Sequence, residues 1–188
     1  MRTVLVIDDN PAVASALDLL FGLHDIHVLR ATSPEQGMAT LTRNCVDLVI
    51  ADTFAGARTP AHLTSAEFTA AVARVLSPSG SYAANVGDGP PLAHARARVA
   101  TVCSVFPHAC LIADAAVLRG RRFGNLVLAA ARHDLPLTGL ARRVASDPFP
   151  GRLVHSRDLD RFAAGAKPIT DARAEPSLAP PPGIFQTG

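Results

Sequence analysis

Three aspartates stand where they could act together. Asp8 and Asp9 follow the apolar run at residues 3–7 (TVLVI), and Asp52 follows the run at 46–51 (VDLVIA). If these runs are neighbouring strands, three carboxylates converge at the strands' C-terminal ends, where open α/β sheets bind ligands. Carboxylates so placed repel one another unless a hard cation joins them, and magnesium accepts such oxygens while keeping several waters. Asp8, Asp9 and Asp52 are therefore candidate ligands for a hard divalent cation, a role magnesium would suit. The alternative is three solvated carboxylates that cap strand ends and a helix.

The remaining reactive residues group less well. Arg119, Arg121 and Arg122 could hold a phosphate or carboxylate, or form a solvated polar connection. Asp88, between Gly87 and Gly89, reads as a turn residue that could line a cleft. The seven histidines show no ligand spacing, and no Ser-His-Asp or Cys-His arrangement emerges. Cys45, Cys103 and Cys110 lack CxxC spacing and suit a reducing compartment as small apolar groups.

The elements that must carry the aspartates are legible. The run at 3–7 has the continuous apolar pattern of a central strand. Asp8-Asp9-Asn10-Pro11 stops it and opens a helix, capped by Asn10 or Asp9, with Val13, Leu17, Leu20 and Phe21 on one apolar face. A second strand at 26–31 and a helix from Ser33 to about 41 lead to the third strand at 46–51. Further along come a helix behind the capping box at 64–67, a turn at 78–80 and a strand at 81–86. The pattern then predicts a helix at about 92–105, strands at 110–113 and 125–130, and short helices near 137–145 and 158–164. Strands alternating with helices on short loops imply parallel βαβ units.

Composition sets the frame. With 188 residues, 48% hydrophobic and 18% charged, the sequence reads as one globular domain. The formal net charge of +2 favours neither nucleic acid nor an acidic partner surface. No apolar stretch reaches the roughly 20 residues of a membrane span, and Asp8 and Asp9 interrupt the first apolar run too early for a signal peptide. The expectation is a soluble, cytoplasmic protein that binds no membrane.

Two resemblances meet at Asp52. VLVIDDNPAV (residues 4–13), followed by a strand and helix and by VDLVIAD, resembles the first half of a response-regulator receiver domain. That resemblance implies a magnesium site at Asp8, Asp9 and Asp52. It also implies Asp52 as phosphoacceptor in a phosphorelay, with a phosphodonor or histidine kinase as partner. The receiver pattern also expects a Ser or Thr ending the fourth strand, where this chain reads Ala84-Asn85-Val86-Gly87, and a Lys ending the fifth. The only lysine here is Lys167, beside Pro168 near the C-terminus.

From residue 46 to the end, the chain resembles the C-terminal part of spermidine synthases and their class I methyltransferase-like relatives. The resemblance rests on VDLVIADTFAGARTPAHLTSAEFTAAVARVLSPSGSYAANV, FPHACLIADAAVLRGRRFGNLVLAAAR and GAKPITDARAEPSLAPPPGIF. That family holds its nucleoside donor with a glycine-rich loop after the first strand and an acid ending the second. Here those places read Asp8-Asp9-Asn10-Pro11 and Arg30-Ala31, and Ala55 stands where the family's catalytic acid would be.

Joined at Asp52, the two halves predict a three-layer, doubly wound α/β sandwich on a mostly parallel sheet. The expected strand order is 2-1-3-4-6-5, with one antiparallel strand, 125–130, near the edge. The expected organisation is one domain over 1–175, receiver-like over 1–52 and synthase-like over 53–175, with a Pro-rich tail at 176–188. Three readings follow, the first two being a magnesium-binding phosphoacceptor half fused to a catalytically incomplete synthase-like half, and a degenerate spermidine synthase or methyltransferase-like protein. A folded chimera without its own activity is the third.

Overall fold

A computed structural model describes residues 2–41, 45–52 and 58–182. Its centre is β1 (Arg2–Asp8), whose residues 4–8 are all buried. It lies between two parallel neighbours, β2 (Ile26–Ala31) and β3 (Val46–Asp52). β4 (Leu76–Asp88) extends the parallel set, and β6 (Gly124–Ala131) runs antiparallel between β4 and β5 (His108–Ala113). The order is β2-β1-β3-β4-β6-β5-β7, as expected over its first six strands.

Two features depart from the sequence reading. The four-residue strand β7 (Arg152–His155) adds a second antiparallel edge, and too little apolar sequence marks it as a strand. The turn expected at 78–80 instead lies inside β4. Val46 pairs with Leu76 and Leu48 with Ser81, so residues 77–80 stand outside the ladder as an irregularity, and continuous pairing begins at Ser81, where the sequence reading starts the strand.

The helices follow their caps. In α1 (Pro11–Gly22), the Asn10 side chain accepts the Ala12 N–H at 3.0 Å and proline occupies the first turn. α2 (Pro34–Leu41) is short. In α3 (Ala66–Val75), buried Ser65 accepts the Phe68 N–H at 3.1 Å. α4 (Ala93–Cys103), α5 (Ala115–Leu118), α6 (Leu137–Ala145) and α7 (Ser156–Ala163) complete the set. No described helix is long and apolar enough to cross a membrane.

The two sheet faces are covered unequally. One carries the main core: Leu5, Ile7, Val49, Tyr82, Leu111 and Leu128 are each no more than 1% exposed. The other holds a smaller cluster of Val4, Val6 and Val28 beneath Leu17 and Phe21 of α1.

The last described segment is anchored. Ser177 is buried, its N–H donates to the Thr59 carbonyl at 3.0 Å, and its Oγ accepts the Thr59 N–H at 2.8 Å. Arg58 donates to the carbonyls of Pro176 and Ser177.

Candidate functional site

The C-terminal edge of the central strands holds a row of polar side chains. Asp8 pairs in register with Asp52, so both aspartates project from the same face of adjacent strands. Beside Asp52, the Asn85 amide of β4 donates to Asp52 Oδ1 at 3.0 Å. Asp8 is 3% exposed, and its Oδ1 accepts the Asn10 N–H at 2.7 Å. Burial pushes the Asp8 carboxyl above the usual 3.8, opposed by the Asn10 hydrogen bond and reinforced by the charges of Asp52 and Asp9. Asp9, the next residue, is exposed.

The structure thus juxtaposes Asp8 and Asp52 and leaves Asp9 at the rim. Among the described residues no three His, Cys, Asp or Glu side chains are grouped to hold a metal ion. The donor set at the edge is two carboxylates on one sheet face, with an amide holding the second. Such a set matches what a hard cation takes from a protein when it keeps most of its waters.

Asn85 is the functional neighbour that sequence reasoning missed. It appeared only as a non-hydroxyl residue, yet its amide fixes the Asp52 carboxylate, while its own Oδ1 is buried without a partner. The register was the available signal, because residue 85 follows the Ala51–Ala84 pair directly.

Asp88 plays a structural part. It is fully buried, and its two carboxylate oxygens accept the N–H groups of Gly89 and Ala95, each at 2.8 Å. It therefore ties the end of β4 to the first turn of α4. Arg122 pairs with Asp114 at 3.4 Å, and Asp114 caps α5, so that arginine is engaged in the local connection. Lys167 is exposed in the segment after α7 and lies in no strand of the sheet. Ala55 falls at 53–57, outside the described residues.

No family model and no curated protein matches the sequence. Among solved structures, a probable spermidine synthase from Corynebacterium glutamicum superposes with a TM-score of 0.71 at 22% identity, covering 100% of this chain and 75% of its own. The spermidine synthase from Thermotoga maritima superposes with a TM-score of 0.51 at 17% identity, covering 89% of this chain and 66% of its own. The chain has the Rossmann-like fold of the spermidine synthases and methyltransferases. The first match includes residues 1–52, so this likeness does not divide the chain at Asp52, and none of these structures is a receiver.

Proposed function

We propose that this chain is a spermidine-synthase-like protein whose donor-binding edge has become a cation site, and that it carries out no aminopropyl or methyl transfer. The observation that carries this reading is the turn between β1 and α1. A buried Asp8 accepts the Asn10 N–H, Asn10 caps the helix, and Pro11 fills its first turn. In the family this chain resembles, glycines at that turn let the backbone approach the nucleoside. Here side chains fill the turn, and the buried Asp8 carboxyl and the Pro11 ring take the place of the glycines that would let a nucleoside approach the backbone. Arg30 near the end of β2 is 3.4 Å from Ser15 Oγ on α1, and Ala31 ends the strand, so the family's second donor contact is missing too.

Asp8 and Asp52 are the residues that would hold the cation. Magnesium bound there would supply positive charge that offsets the repulsion between them. The test is calorimetric titration with Mg2+ of the intact chain, the Asp52→Asn variant and the Asp8→Asn variant, beside an assay with decarboxylated S-adenosylmethionine and putrescine. The expected result is magnesium binding weakened at least about tenfold in each variant, with no turnover. Equal affinity in all three proteins removes the cation site. Turnover restores the enzyme reading.

A second reading rests on the same juxtaposition. Asp52 stands in register beside Asp8, and the receiver resemblance would make it a phosphoacceptor for a phosphodonor or histidine kinase. Phosphoryl transfer depends on cationic stabilisation of charge spread over the phosphoryl oxygens. No lysine ends a late strand here, and Asn85 stands where a hydroxyl would follow the phosphoryl group. Intact mass after incubation with acetyl phosphate and Mg2+ should show little or no addition. Stoichiometric modification within minutes would make this the leading function.

A further inference from the structure

The less covered face of the sheet has the shape of an interface. In-register neighbours Ile50, Ala83 and Ala129 form a row across β3, β4 and β6, and all three are only half-buried. Val127, one step along β6, is 40% exposed. Parallel strands in the middle of a sheet are ordinarily covered on both faces. The groove on this face measures about 530 Å³ and runs from Val4 and Phe21 past Leu48 and Ser81 to His133 and Pro136.

Beside this trough stands a helix that is apolar nearly all round. α1 buries Ala14 and half-buries Leu17 and Phe21 against the sheet, yet Leu19, Leu20 and Leu23 are 73%, 51% and 76% exposed. Asp18 is its only charged residue. A helix of this kind is normally buried. At about 3.6 residues per turn, Val13, Ala16, Leu20 and Leu23 form a second stripe beside the inward one. Ser15, which meets Arg30 of β2, lies on the far flank, so this second stripe borders the trough.

We propose that this face joins two copies of the chain about a two-fold axis, α1 of each copy lying in the trough of the other. Ridge and trough belong to one molecule, as an isologous interface requires. Their lengths agree: a 12-residue helix spans about 18 Å, and the seven residues of β3 about 23 Å. The stripe of one α1 then packs along that of the other, while Leu19 presses on the partner sheet. The three exposed leucines leave roughly 350 Å² of apolar surface per copy, comparable to the largest apolar patch of a typical monomer, which is often functional. With the trough floor, two copies bury on the order of 1,000 Å², the lower bound of a specific interface.

The test is sedimentation equilibrium of the full chain, with Leu20→Glu/Leu23→Glu on the ridge and Ala83→Arg in the trough floor. Circular dichroism melts confirm that each variant folds. The wild type should sediment at twice its 19.6 kDa by about 50 µM, and both variants should weaken association by more than about 100-fold. A wild type that stays monomeric at that concentration overturns the proposal and gives the face to a different occupant. Dimerisation that survives both variants also overturns it, because the contact then lies elsewhere. If the leucine variant fails to fold, Ala83→Arg alone decides between these outcomes.

Discussion

Asp8 concentrates the physics of the edge in one side chain. Its carboxyl is held above the usual 3.8 chiefly by burial, so the folded chain binds that proton more tightly than the unfolded one. Stability from this group is therefore lost as pH rises from about 3.8 through the folded value, and the deficit persists at neutral pH. Asp8→Asn keeps an acceptor for the Asn10 N–H and removes the charge. It should raise the melting temperature at pH 7 by about 2–4 °C, with the gain shrinking towards pH 3 in calorimetric scans. Saturating magnesium should raise the wild type similarly and leave the variant unmoved. The cysteines separate by the same logic. Burial pushes the Cys110 thiol up to about 11, whereas Cys45 is exposed. A thiol reagent at pH 8 should label Cys45 in the native chain and Cys110 only after denaturation, as peptide mapping would show.

At the scale of elements, the junction of β4 with α4 depends on two ionisable side chains. Asp88→Ala strips the N–H groups of Gly89 and Ala95 of their shared acceptor in a buried position. Leaving two buried donors unpaired should cost about 2–4 kcal/mol in denaturant unfolding. His94, in the first turn of α4, is lowered to about 4 by burial, with Arg98 acting in the same direction and Asp88 against it. The unfolded chain then binds more protons between pH 6.5 and about 4, so stability falls as pH drops through that window, by about 2–3 kcal/mol in total. This slope is opposite in sign to that of Asp8. His94→Gln should flatten it in urea titrations at pH 4.5 and 7, and an unchanged slope would assign acid sensitivity to other groups.

Across the whole molecule, the C-terminal segment holds together parts distant in sequence. The Ile169 carbonyl accepts the Ala66 N–H at 2.8 Å, and the Ile169 N–H donates to Thr101 Oγ1 at 2.8 Å. Farther on, Ser177 pairs with Thr59, a few residues beyond Asp52. Truncation after Glu175 removes these Ser177 bonds and the carbonyl acceptors of Arg58. Amide exchange at residues 58–64 should accelerate at least about tenfold, while β1 and β6 keep their protection. Equal protection in the two proteins would show that this segment lies on the surface without restraining it.

Much of this arrangement was written in local sequence. The unbroken apolar run before Asp8 has the pattern of a strand buried on both faces, and Asn10-Pro11 carries the cap and first-turn proline of a helix start, because capping and ring geometry act over a few residues. The same local rules placed Asp8 and Asp52 at strand ends, and alternation of strands and helices on short loops implied parallel βαβ units, whereas the sheet order through its sixth strand came from the two family resemblances. Three things waited for the fold. The residues at 78–80 have turn chemistry and lie outside the pairing with β3, but Leu76 before them already pairs with Val46, so they interrupt β4 instead of preceding it. β7 is four residues long and exists only because the edge of β5 offers free backbone groups. Asp88 and Asn85 look alike in sequence, as polar residues near glycine at the end of a strand. One became a buried tie to α4 and the other the partner of Asp52, because burial and partners are properties of what packs alongside and no local pattern encodes them.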